Sequence, residues 1–151
     1  YKDKKLVDVS EYGTDNVLNE KTIMKYKGDF LVDESSYNGD GKLLVKNIYT
    51  ADDNGRLVKW AQYFADGSLD CQEEYTWNEK GEVESILSYD STGREEKEVF
   101  RYGSNGLLNE ITTYDSSKQI TKRVSIKVID DIIGCVYGIF RCFILSESIA
   151  W

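Results

Sequence analysis

The sequence predicts an all-β protein: an elongated antiparallel meander of about five tandem β-hairpin repeats, largely a single-layer sheet, with an apolar C-terminal cap. Three observations carry that expectation. Tyr12, Tyr37, Tyr63, Tyr89 and Tyr114 stand 25, 26, 26 and 25 residues apart. Leu6, Leu31, Leu57, Val83 and Leu108 precede them by six positions throughout. Gly55, Gly81 and Gly106 recur in step, as do Gly41, Gly67 and Gly93. Several spacings in one register mark an internal repeat, in which each unit is a supersecondary tile stacked on its neighbours.

Each unit reads as two strands and two turns. Unit one runs from Leu6 through the turn "GTDN", and the charged "YKDKK" before it blunts an open sheet edge. Unit two turns at "NGDG" and again at "DDNG". Unit three is the clearest: "RLVKWAQYF" is strand-like, "ADGS" is a turn, "LDCQEEYTW" is strand-like and "NEKG" is a turn. Asp66-Gly67 is a pairing suited to a tight hairpin, since glycine accepts positive φ without steric cost. Unit four turns at "DSTG" and unit five follows "GSNG". Small polar residues that bond their own backbone, followed by glycine, are turn chemistry in every case. Tyr49, Tyr75 and Phe100 form a further matching set, two residues before Ala51, Trp77 and Tyr102. A glycine-bearing turn arrives too early for helices of ordinary length, and the spacing suits a meander.

Strict alternation sorts each first strand into two faces. One face takes Leu31, Asp33, Ser35 and Tyr37; then Leu57, Lys59, Ala61 and Tyr63; then Val83, Ser85, Leu87 and Tyr89; then Leu108, Glu110, Thr112 and Tyr114. Neither face is cleanly apolar, which does not suit a sandwich. A single layer held by cross-strand aromatic, aliphatic and charge pairs fits better. The tyrosines of alternate strands would then form a ladder with a spacing of roughly 10 Å. The repeat fades after Ile126, giving a repeat domain over 1–128 and an apolar segment over 129–151. That segment reads as a cap folding back on the sheet, strand-like in "CVYGIFRCFIL", with a helix or a self-association patch as the alternatives.

Composition narrows the function. The net charge is −8 and no basic cluster occurs, which argues against nucleic acid as a partner. Histidine is absent, removing the commonest general base and metal ligand. Cys71, Cys135 and Cys142 show no zinc or redox spacing; free thiols are expected, with a Cys135–Cys142 bridge as the alternative. The longest apolar run, Ile132 to Leu145, is too short to span a bilayer and carries Arg141. Paired carboxylates among Asp52, Asp53, Asp66, Asp70 and Asp90 are one chemistry to weigh, but they recur with the turns and read as turn formers. Calcium in the Asp/Asn/Gly turns is explained away in the same manner. No nucleophile has a base, so no enzyme, catalytic residue, cofactor or metal is expected. The aromatics Trp60, Tyr63, Tyr75, Trp77, Tyr89 and Tyr102 are candidates for a stacking platform facing a sugar or a protein partner; cross-strand pairing is their structural alternative.

The phrases "YDSTGR", "YTWNEKGEV" and "RYGSNGLL", with "YDSS" at Tyr114, resemble the YD repeats of the rearrangement-hotspot family. The likeness covers roughly residues 6 to 126 and is clearest over 49 to 118, with the motif's Asp kept at Asp90 and Asp115. A weaker likeness is to the MORN-type repeats, which also form single-layer hairpin arrays. The resemblance implies an exported or surface-associated bacterial protein, its signal peptide removed, with a recognition or structural role. It implies no active site. A protein or glycan partner is the first expectation, a spacer that self-associates through 129–151 is the second, and a glycan-active enzyme is a distant third.

Overall fold

The computed structural model describes residues 5–127. Ten strands follow one another: β1 (Asp8–Tyr12), β2 (Leu18–Lys27), β3 (Phe30–Asn38), β4 (Leu43–Ala51), β5 (Leu57–Phe64), β6 (Leu69–Trp77), β7 (Val83–Asp90), β8 (Glu95–Tyr102), β9 (Leu108–Asp115) and β10 (Ile120–Ser125). They form one open antiparallel sheet in sequence order, as the turn rhythm predicts. Nine strand gaps make the strip roughly 43 Å long. The expected cap and self-association segment, 129–151, lies outside the described residues, as do Cys135 and Cys142.

The turns explain why the chain reverses where it does. At Phe64–Ser68 the Phe64 amide donates to the Ser68 carbonyl at 2.9 Å, and the Gly67 amide donates back to the Phe64 carbonyl at 3.0 Å. Gly67 has φ +83°, while Asp66 keeps negative φ. This is a three-residue loop ending in a left-handed bulge residue, one residue longer than the tight hairpin that Asp-Gly suggests. The same pair of bonds recurs at Asp52–Arg56, Asn78–Glu82, Asp90–Arg94 and Asp115–Gln119. In these four the first residue's side chain also accepts the amides two and four positions on, as Asp52 does from Asn54 and Arg56, both at 2.9 Å. The carboxylates recurring with the turns are thus occupied by backbone amides.

Register corrects the facial assignment at one position per unit. Tyr26 lies opposite Leu31, Ala51 opposite Leu57, Trp77 opposite Val83, and Tyr102 opposite Leu108. In each case the next residue of the later strand, Val32, Val58, Glu84 or Asn109, is skipped in the pairing. A bulge sets two residues against one and breaks the period-two alternation. Leu31, Leu57, Val83 and Leu108 therefore join the face opposite their unit's tyrosine.

The tyrosines themselves share one face. Tyr63 pairs with Lys46 and Leu69, Tyr89 with Gln72 and Glu95, Tyr114 with Lys97 and Ile120, and Tyr37 with Lys21 and Leu43. Tracing partners across the ladder keeps all four on one side of the sheet, with Tyr12, opposite Leu18, on the same side. A single layer buries little. Ala61, Ile86 and Phe100 are its buried hydrophobic residues, Ala61 at 2% exposure. Ser35, Ser85, Thr112 and Thr113 are buried alongside them, because small side chains at mid-strand are roofed by longer neighbours. Hydroxyl pairs bridge strands there, Thr22 Oγ1 to Ser36 Oγ and Thr76 Oγ1 to Ser85 Oγ, both 2.8 Å. Such cross-strand contacts are the unit of sheet stability.

Candidate recognition face

The pleat divides the six aromatics proposed for one platform. Trp60, Tyr75, Trp77 and Tyr102 lie on one side, the tryptophan face; Tyr63 and Tyr89 lie on the other, the tyrosine face. Trp60 and Tyr63 are three residues apart on β5, so alternation sends them to opposite faces. The platform reduces to the first group, joined by Tyr49, which stands directly opposite Trp60.

Within that face the aromatics divide again by task. Trp77 donates from Nε1 to the Leu57 carbonyl at 2.8 Å, and Tyr102 donates from its hydroxyl to the Val83 carbonyl at 2.9 Å. Tyr26 does the same to Leu6 at 2.9 Å. Each reaches from the end of a hairpin's second strand to the start of its first, clipping the open end. Cations cover two of these rings, Lys5 over Tyr26 at 5.5 Å and Arg56 over Trp77 at 5.7 Å. Sequence reasoning missed the clips, although residues 26, 51, 77 and 102 share one register and three of them are aromatic donors.

Trp60 and Tyr75 occupy the middle of the face. Trp60 lies between Tyr49 and Glu73 and donates from Nε1 to Asn47 Oδ1 at 3.2 Å. Tyr75 lies opposite Ile86 and donates its hydroxyl to Glu73. Tyr49 donates to Glu34 Oε2 at 2.9 Å. Burial raises the Tyr49 pKa, and the bond to Glu34 and its charge raise it further. Burial also raises the Glu73 pKa; the Tyr75 bond opposes that and the Glu98 charge reinforces it. The centre of this face is therefore a half-buried band of rings interleaved with the carboxylates Glu34, Glu73 and Glu98. Rings offer π-faces for stacking and carboxylates accept hydrogen bonds, so the band carries groups suited to recognition.

The tyrosine face differs in character. Asp33, with its side chain 12% exposed, accepts from Ser35 Oγ at 2.8 Å and lies 3.2 Å from Lys46 Nζ and 3.6 Å from Lys25 Nζ. Burial pulls its pKa up, but the Ser35 and Lys46 bonds with the charges of Lys46 and Lys25 outweigh it, leaving the carboxyl below its usual range. Of the other candidate acids, Asp52 is held low by the Arg56 amide, Asp66 by the Ser68 hydroxyl and Asp90 by the Thr92 hydroxyl. Asp70 accepts from Gln62 Nε2 at 2.6 Å. Each of these is explained by a local bond.

No family model matches the chain, and no curated protein aligns with it. Among solved structures it is similar to a protein of unknown function from Bacteroides fragilis, at 16% identity and TM-score 0.48, over 76% of this chain and 96% of that one. It is also similar to part of a Staphylococcus aureus TarM mutant solved with fondaparinux, α-GlcNAc-glycerol and UDP, at 14% identity and TM-score 0.35, over 76% and 21% of the two chains. A third similarity is to part of a chain in a complex of TcdB2, TccC3 and Cdc42, at 15% identity and TM-score 0.33, over 82% and 9%.

Proposed function

We propose that this chain is a non-enzymatic recognition module of the bacterial surface or periplasm, binding a glycan or a protein across its tryptophan face. The observation that carries this reading is the band of Trp60, Tyr49 and Tyr75 with Glu34 and Glu73, which is half-buried and which no second layer covers among the described residues. Rings stack on the C–H faces of a sugar or on a partner's apolar groups, and the carboxylates accept hydroxyl or amide donors. The likeness to YD repeats supports the placing outside the cytoplasm.

Trp60 is the residue to test. Trp77 clips a hairpin, so its loss would disturb the sheet as well as any ligand. Titration against a glycan array and a panel of surface-protein ectodomains, read by intrinsic tryptophan fluorescence, should find a ligand whose signal falls at least tenfold in Trp60→Ala. The variant's far-ultraviolet spectrum should stay that of the wild type. A ligand that binds Trp60→Ala as well as the parent would remove the tryptophan face from the reading.

A further inference from the structure

Among the first four hairpins the clip fails once, and the failure leaves a hollow. At the open end of the β3–β4 hairpin the register position held by Tyr26, Trp77 and Tyr102 elsewhere is Ala51. Among the described residues no side chain donates to the carbonyl of Leu31, the counterpart of the accepting carbonyls of Leu6, Leu57 and Val83. The strand ends diverge there as at the other hairpins: β3 and β4 pair only from Asp33–Ile48 inward, just as β5 and β6 pair from Lys59–Glu74 inward. Where β5 and β6 part, the Trp77 ring fills the gap. Where β3 and β4 part, a hollow of about 630 Å³ remains, its apolar side formed by Phe30, Val32, Tyr49 and Ala51 and its polar side by Lys27, Thr50, Asp29, Asp52 and Asp53.

The neighbouring position has changed as well. Lys5 and Arg56, the residues just before the accepting Leu6 and Leu57, lie over the clip rings. The equivalent residue before Leu31 is Phe30, which lines the hollow. The ring has become alanine, and the position that holds a cation at the Tyr26 and Trp77 clips and Glu82 at the Tyr102 clip has become phenylalanine, so a closed clip turns into a recess with a phenyl wall and a polar side.

We propose that this recess binds an aromatic ring bearing one hydrogen-bond donor, an indole or a phenol, free or carried on a peptide. Such a ring takes the place that Trp77 and Tyr102 take in their own hairpins, packs on Phe30 and Val32, and donates to the Leu31 carbonyl. The site lies at the hairpin end and does not depend on the flat band around Trp60 being a binding surface.

Titration of the whole chain with indole and p-cresol, followed by amide shifts in two-dimensional NMR, tests it. The amides of Phe30, Val32, Thr50 and Ala51 should move and saturate. 1-Methylindole, which lacks the donor, should bind roughly five-fold more weakly, the size of one neutral hydrogen bond. N-Acetyl-tryptophanamide distinguishes the sources: tighter binding than indole marks a peptide-borne ring, and equal or weaker binding marks a free one. Ala51→Trp should supply the missing clip, abolish indole binding and raise the thermal midpoint; Ala51→Leu, a smaller filler, should also abolish binding. Absence of shifts at saturating indole, shifts elsewhere on the sheet, or unchanged indole binding in a folded Ala51→Trp or Ala51→Leu protein would overturn the assignment.

Discussion

Asp33→Asn tests whether charge or shape holds the tyrosine face. The substitution keeps the side chain's volume and leaves an oxygen to accept from Ser35, but removes the charge shared with Lys46 at 3.2 Å and Lys25 at 3.6 Å. The lysine side chains are 39% and 66% exposed, so solvent screens both pairs and each contributes about 0.2–1 kcal/mol. The Ser35 bond weakens from charge-assisted to neutral, a loss of about 0.5–1 kcal/mol. Together these give a cost of about 1–3 kcal/mol in urea unfolding at pH 7.

The pH dependence separates this account from a packing effect. The folded pKa of Asp33 lies below its unfolded value, so its contribution is complete above the unfolded value of about 3.9. That contribution disappears as pH falls through the lower folded value, where wild type and Asp33→Asn should converge. Unfolding midpoints measured from pH 7 down to pH 2, with circular dichroism confirming a folded baseline, supply the test. A gap between the two proteins that persists unchanged at the acid end would refute the electrostatic reasoning, and so would the absence of any gap at pH 7.

Three further outcomes follow from particular contacts. Tyr102→Phe keeps the ring and deletes only the hydroxyl that donates to Val83, so chemical unfolding should show a loss of about 1 kcal/mol. Gly67→Ala places a Cβ in open space but at φ +83°, so a backbone cost of about 1–2 kcal/mol should lower the thermal midpoint, with Gly67→Asn closer to wild type. Glu73→Gln should become progressively more stable than wild type as pH rises above the unfolded glutamate value of about 4.3, levelling off beyond the raised folded value. The reason is that the buried charged form is disfavoured in the fold, so the parent loses stability as Glu73 ionises and the amide does not; a flat difference in unfolding midpoint across that interval would count against it.

What was legible in the sequence was the period, and what was not was the half-step. Turn residues announce themselves because glycine at φ +83° and an aspartate accepting two amides are local demands, met within five residues. The Leu69–Trp77 strand was readable from its flanking turns to the residue. The face of a side chain, by contrast, depends on a partner strand. Leu57 stands six residues before Tyr63 and by parity shares its side, yet the bulge against Ala51 moves it to the other. The same parity argument misjudged nothing between the bulges, which is why the tyrosine ladder could be drawn in advance and the leucines could not.

That distinction bears on the candidate site. Trp60, Tyr63, Tyr75 and Tyr89 look equivalent as a list of aromatics, because a sequence displays exposure and facing identically. Separation came only with register, which sends Tyr63 and Tyr89 away from Trp60. The clips were harder still, since Trp77 and Leu57 are 20 residues apart and bond across a divergence that only two bulged, twisting strands create. Yet the departure at Ala51 was visible from the start as one alanine in a column of aromatics. In a repeat array, neighbouring units state what a position ordinarily does, so a single unit that lacks the residue can be read against them. Here the other hairpins specify both the shape and the donor that the β3–β4 end lacks, and that is why the hollow can be assigned a class of ligand from its own chain.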